Sequence, residues 1–217
     1  MKKIFVQRTV AAVAAALVLG VVGCATGPTL DQQVAAMMKA DFRDEGIAKV
    51  DRLQQDASNE VCSKALGAAL PEAEAKKIEQ ANMATVHMPS DGKFLGDWKK
   101  GEELAQNGRG MTWSDKSIDT KANGGNCYNC HQITKAEISF GTIGPSLYNY
   151  GKLRGVTNPA SADARAMVEY TWGKLWNARA YNACSNMPRF GHNHILDEGQ
   201  IRDLMALLLD PKSPVNQ

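Results

Sequence analysis

Five consecutive residues, Cys127-Tyr128-Asn129-Cys130-His131, form a C-x-x-C-H pattern, which has the spacing of c-type haem attachment. Two thiols three positions apart can each add to one vinyl group on the same porphyrin edge. The next residue then falls beneath the iron, where the His131 imidazole serves as proximal ligand. A thioredoxin-like redox pair would need a surrounding βαβ pattern, and a zinc site a second ligand pair at suitable spacing. The sequence offers neither.

A six-coordinate haem needs a second axial ligand, and the chain has nine methionines. Met187 is the expected one. It lies between two expected helices in Asn186-Met187-Pro188-Arg189-Phe190-Gly191, and Pro188 stiffens that turn. Met167 and Met205 fall inside helical patterns and are expected in the core, while Met37, Met38, Met83 and Met88 belong to the N-terminal section. Met111, in a loop before the motif, is the other methionine candidate, and His192 and His194 could also bind iron. His87 stands alone and reads as structural. Histidine–methionine ligation would fill both axial positions and favour electron transfer over chemistry at the iron. Pro145 follows His131 by 14 residues within Gly141-Thr142-Ile143-Gly144-Pro145-Ser146-Leu147. Its carbonyl is expected against the imidazole Nδ1–H, where it would fix tautomer and ring orientation.

The elements that must hold these residues read as helices. Asp31 opens an apolar face of Val34, Met37, Met38 and Phe42, interrupted at Gly46. Ile47, Val50, Leu53 and Ala57 continue it in a second helix, and Pro71 opens a third from Glu72 to about Val86. Pro89, Gly92 and Gly96 mark a boundary. Beyond it, residues 97–108 read as a short helix and 108–125 as loop. A further helix begins near Ser161 or Asp163 and carries Met167, Val168, Thr171, Trp172, Leu175 and Trp176 on one face. The last opens with Asp197-Glu198-Gly199-Gln200, a capping-box start, and Pro211 stops it. With no repeat and no run suited to a sheet, the expected fold is all-α.

The N-terminus reads as an export signal. Lys2, Lys3 and Arg8 precede an apolar run of 14 residues, 10–23, short of the roughly 20 that span a bilayer. Val21-Val22-Gly23-Cys24 matches a bacterial lipobox, in which Cys24 is lipidated and becomes the first mature residue. The alternative is cleavage near Ala25 or Gly27. Loss of residues 1–23 removes three positive charges and no acid, turning the formal charge from +2 to −1, which gives no argument for nucleic-acid binding. The expected divisions are 1–23 signal peptide, 24–90 helical extension and 91–217 cytochrome c domain. An exported chain meets an oxidising compartment. With Cys24 at the signal boundary and Cys127 and Cys130 on haem, Cys62 and Cys184 remain and are expected to form a disulfide.

From about Gly96 the order helix, C-x-x-C-H, Gly-Pro loop, helix, Met loop, terminal helix resembles a class I cytochrome c. Phe94-Leu95-Gly96-Asp97-Trp98, Gly125-Asn126 leading into the motif, Gly144-Pro145-Ser146-Leu147-Tyr148 and Met187-Pro188-Arg189-Phe190-Gly191-His192 together resemble the sulfur-oxidation cytochrome SoxX. So do the ending from Met205 through Pro211 to Val215-Asn216 and, upstream, Cys62-Ser63. The resemblance covers about Asp41 to the C-terminus. It implies a periplasmic partnership with a SoxA-type cytochrome, in an L-cysteine S-thiosulfotransferase complex that oxidatively couples thiosulfate to a cysteine of the SoxYZ carrier. Bond formation is expected on the SoxA haem, while this chain accepts electrons and passes them to a soluble cytochrome c. Cys127, Cys130, His131 and Met187 match the family's haem attachments and axial ligands. Arg189 and Lys152 are candidates for docking near the haem edge or for plain surface charges. A free periplasmic electron shuttle is the alternative, and a haem sensor or peroxidase with dissociable Met187 a third reading.

Overall fold

The computed structural model describes residues 27–217; the expected signal peptide and Cys24 lie outside them. The fold is all-α. Among the described residues seven helices occur: α1 (Leu30–Asp41), α2 (Ala57–Lys64), α3 (Glu72–Met83), α4 (Trp98–Gln106), α5 (Tyr150–Leu153), α6 (Arg165–Trp176) and α7 (Glu198–Leu209). Extended pairing among them is limited to an isolated bridge between Glu45 and Ala48.

Two units divide the chain, residues 27–43 and Asp44–Gln217. The first is α1, started by a capping box in which Thr29 Oγ1 accepts from Gln32 N and Gln32 Oε1 accepts from Thr29 N. Its expected apolar face is exposed at Val34 and Met37, as is Phe42 just beyond its end.

The second unit holds the core. Residues 44–90, set apart in the sequence by texture, belong to the same compact unit as 91–217. The single helix expected over Ile47, Val50, Leu53 and Ala57 is instead a 3-10 turn, Val50–Leu53, followed by the separate α2. Asp56 accounts for the break: its carboxylate accepts from Asn59 N at 2.8 Å and starts a new helix there. Helix α3 ends at Met83, short of Val86. Helix α6 starts at Arg165 with no side-chain cap, because Ser161 Oγ accepts from Ala164 N in a turn just before it. Short α5 carries no periodic signal in the sequence.

Helix α7 is the centre of this unit. Ile201, Leu204, Met205, Leu207 and Leu209 are all at most 2% exposed. Val168, Trp172 and Leu175 of α6 join the same cluster. Phe94 meets Trp172 edge-on at 5.6 Å and Trp172 stacks on Trp176 at 5.9 Å. Helix α4 crosses α7 at Gly101, where a Cβ would overlap the backbone carbonyl of Asp203. The C-terminus closes the unit. Asn216 Nδ2 donates to Leu208 O and Asp210 O, while its Oδ1 accepts from Gly151 N at the start of α5.

Replacing Gly101 by alanine should cost about 1–3 kcal/mol of stability, the usual range for overpacking a close contact. A denaturant midpoint equal to the wild type's would show that the crossing tolerates a methyl group.

Candidate functional site

The C-x-x-C-H segment is seated on the end of α4. Gly125 N donates to Leu104 O at 2.8 Å and Asn126 N to Asn107 O at 2.9 Å. Asn126 takes the left-handed conformation, φ +49°, and opens the 3-10 turn Cys127–Asn129. Cys130 N and His131 N then both donate to Cys127 O, at 3.1 and 2.9 Å. The turn therefore delivers both cysteines and His131 from one rigid corner.

The sulfurs of Cys127 and Cys130 are not bonded to each other. Burial pushes the Cys127 thiol up to about 12, and the neighbouring Cys130 adds to the rise. A dithiol redox centre needs the opposite, a depressed thiol. Among the described residues no group of three or more His, Cys, Asp or Glu gathers as a closed zinc site needs.

Loop 141–147 laces onto the turn. Gly141 N donates to Tyr128 O, Gly144 N to Cys130 O and Leu147 N to Gln132 O, at 2.7–2.9 Å. His131 Nδ1 lies 2.7 Å from Pro145 O, a distance at which the ring N–H donates to the carbonyl. That bond puts the proton on Nδ1 and leaves the Nε2 lone pair for a ligand. Gly144 must be glycine here, since a Cβ would overlap the imidazole ring.

Met187 is partly buried and packs on the core cluster, whose rim also includes Cys127, Leu104, Tyr128, Leu147 and Ile195. Its N–H donates to Ser185 Oγ at 3.3 Å. Downstream, Gly191 N and His192 N both donate to Trp176 O, and Phe190 is buried. The His192 imidazole is shifted toward its neutral form by burial first and by Arg189 second. His194 is exposed in a left-handed turn, φ +52°. Met111 sits in another left-handed turn, its carbonyl held by Arg52. Met205 is fully buried in α7 and Met167 partly so in α6.

The expected disulfide is present: Cys62 of α2 is bonded to Cys184, Cα–Cα 5.5 Å. Arg189 is not a solvated docking cation. Its side chain is 11% exposed and ion-paired with Asp56, which also lies 3.8 Å from Arg179. Lys152 is exposed. Sequence reading missed Asp56 and Arg179, although Asp56-Ala57-Ser58-Asn59 has the form of a helix cap. It also missed Glu137, whose Oε2 accepts from Ile133 N and Thr134 N and shapes the chain just after His131.

These residues fit a covalently bound haem by the chemistry of the donors. Two unbonded cysteines stand on one turn, the imidazole beside them has Nε2 free, and a thioether borders the same core. The loop after His131 also leaves Ile138 and Ile143 exposed, apolar surface of the kind a bound macrocycle covers.

Fold and site define an all-α protein whose reactive side chains lie on loops seated against a buried helix pair. No family model matches the chain. It is 33% identical over 166 residues to a protein of Aquifex aeolicus (strain VF5) described as an uncharacterized lipoprotein, covering 75% of this chain and 73% of the relative. The chain belongs to the family of that lipoprotein. Among the described residues no helix is long and apolar enough to cross a membrane.

Substituting valine for Gly144 should displace the His131 ring from Pro145 and destabilise the protein by about 1–3 kcal/mol. The readout is the imidazole Nδ1 proton resonance, shifted downfield by its hydrogen bond in the wild type and lost in the variant. A retained resonance would mean that the ring is held by something else.

Proposed function

We propose that this protein is an exported monohaem c-type cytochrome of the SoxX kind, the electron-accepting subunit of a thiosulfate-coupling complex. The observation that carries the reading is the His131–Pro145 hydrogen bond on the C-x-x-C-H turn. It prepares Nε2 as a ligand before any metal is considered.

Cys127 and Cys130 would hold haem c through thioether bonds, and His131 and Met187 would ligate its iron. Bound there, haem supplies a store for one electron at a time. The Pro145 carbonyl keeps the proton on Nδ1 and strengthens His131 as a donor. Met187, a soft thioether, favours the reduced metal and so raises the reduction potential. With both residues ligating the iron, thiosulfate would have no position there, and electrons would reach this chain through a protein interface. Joining a carrier thiol to thiosulfate forms one S–S bond and releases a proton and two electrons. On this reading the bond forms on the SoxA-type partner. This chain takes the electrons singly and passes them to a soluble cytochrome c.

Anchoring follows from Cys24. The relative's description as a lipoprotein supports acylation of that residue after removal of 1–23. The mature protein would then be tethered to a membrane surface on the periplasmic side. Mass spectrometry of the purified protein should find an acylated N-terminal Cys24; an unmodified N-terminus beyond it would remove the anchor and leave the haem reading standing.

Reconstitution tests the function. The haem of this chain should become reduced when thiosulfate, the carrier protein and the second cytochrome are all present, and remain oxidised when any one is omitted. Met187→Ala should lose the thioether-to-iron charge-transfer band at the red end of the ferric spectrum. Reduction by thiosulfate alone at turnover rates would overturn the subunit reading, and absence of covalent haem from the exported protein would overturn the whole of it.

A further inference from the structure

The stretch that carries Met187 has little structure of its own. Between the 3-10 turn Ala178–Ala180 and buried Phe190, its local hydrogen bonds are Tyr181 N to Ala178 O, Ser185 N to Asn182 O, Met187 N to Ser185 Oγ and Asn193 N to Arg189 O. What holds it comes from far away in the chain. The segment from Asp56 to Thr85 reaches residues 176–189 at several points. Asp56 pairs with Arg189, two residues beyond Met187, and lies 3.8 Å from Arg179. Cys62 is bonded to Cys184, three residues before Met187. Glu79 Oε1 accepts from Ala183 N at 3.2 Å. Asn177 Nδ2 donates to Asn82 Oδ1 and Thr85 Oγ1 at 3.0 and 2.9 Å, and Trp176 Nε1 donates to Thr85 O at 3.0 Å.

The two arginines explain why Asp56 matters. Their side chains are only 12% and 11% exposed, and they repel each other across the carboxylate they share. A guanidinium so far out of water needs a partner, and removing one leaves an uncompensated charge. Nη1 of Arg179 makes no hydrogen bond within the protein, and the carboxylate it faces, at 3.8 Å, is that of Asp56. Losing this carboxylate would drive the arginines apart, and Arg189 would take the Met187 loop with it.

We propose that Asp56, acting with the Cys62–Cys184 bridge, is a positioning residue for the Met187 thioether: the 56–85 segment is a clamp on the axial-ligand loop. The inference rests on Met187 being an iron ligand. The clamp bonds directly to the segment before and after Met187 and to none of Cys127, Cys130 or His131. Its loss therefore loosens one axial ligand and spares the other.

The test uses the full-length haem-loaded protein and Asp56→Asn, Asp56→Glu, the Cys62→Ser/Cys184→Ser pair and Ser213→Ala. The probe is imidazole binding to the ferric form, followed with the thioether charge-transfer band. Asp56→Asn should bind imidazole faster by on the order of tenfold, as expected when a paired buried charge is uncovered. The double cysteine variant should also bind it faster, because the covalent tie three residues before Met187 is cut. Asp56→Glu should recover most of the wild-type rate. Ser213→Ala, destabilised beyond the end of α7 by loss of the buried Ser213 Oγ–Leu207 O hydrogen bond, should exchange at the wild-type rate. Amide hydrogen exchange at residues 183–190 should rise in Asp56→Asn whether or not haem is attached. Unchanged imidazole binding in Asp56→Asn, or an equal increase in Ser213→Ala, would overturn the clamp and leave the proposed function intact. A wild-type protein lacking the thioether band would overturn Met187 ligation, and the clamp's purpose with it.

Discussion

The close approach of α4 to α7 is the constraint on which the site depends. Gly101 has no Cβ, so the two helix backbones can meet where any larger residue would strike the Asp203 carbonyl. Gly96 N, donating to Arg202 O at 2.8 Å, and Asp97 N, donating to Asp203 Oδ1 at 2.7 Å, pin the start of α4 to the same stretch of α7. Asp203 itself is held above its ordinary value, chiefly by burial, as expected for a carboxyl between two packed helices. With its start and middle fixed, α4 carries its C-terminal end to a defined place. There the carbonyls of Leu104 and Asn107 receive Gly125 and Asn126. The orientation of His131 is thus inherited through α4 from a buried helix with which it shares no hydrogen bond.

Two routes lead outward from the core to the loops. One runs through α7, α4 and the C-x-x-C-H turn to loop 141–147, mostly by backbone hydrogen bonds and close glycine contacts. The other runs through α6 to Asn177 and on to residues 181–191, held by side chains, an ion pair and the disulfide. The difference matters physically. Backbone bonds at glycines leave almost no freedom, which suits a ring whose tautomer must be set. A loop tied by side chains and one covalent bond can yield locally, and local yielding is decided by those few contacts. Helices supply rigidity and loops supply the reactive groups, the usual division of labour in a packed domain.

Much of this was legible in the sequence, for a reason of scale. Apolar periodicity marked α6, because it buries one face against the core and the residues that do so recur every three or four positions. The capping box at Asp197 and Gln200 reads directly, since both bonds are local. The pairing of Cys62 with Cys184 followed from compartment chemistry and elimination, and needed no geometry. Pro145 opposite His131 was accessible because a Gly-Pro turn that soon after the motif has few places to go.

Other features were decided only in three dimensions. Asp56 and Arg189 are 133 residues apart, and nothing in either neighbourhood names the other. Arg189 beside Met187 reads as a surface charge until folding encloses it. The helix expected through Ile47 to Ala57 split because a side-chain cap at Asp56 outcompeted a continuous apolar face that has no core to bury against. By itself the sequence determined the all-α class, the face that α6 buries and the grouping of Cys127, Cys130 and His131 on one turn, since these rest on residue type and short-range period. Tertiary structure alone decided that residues 56–85 bond to the stretch around Met187, because a contact between distant residues depends on where the core brings the chain back upon itself.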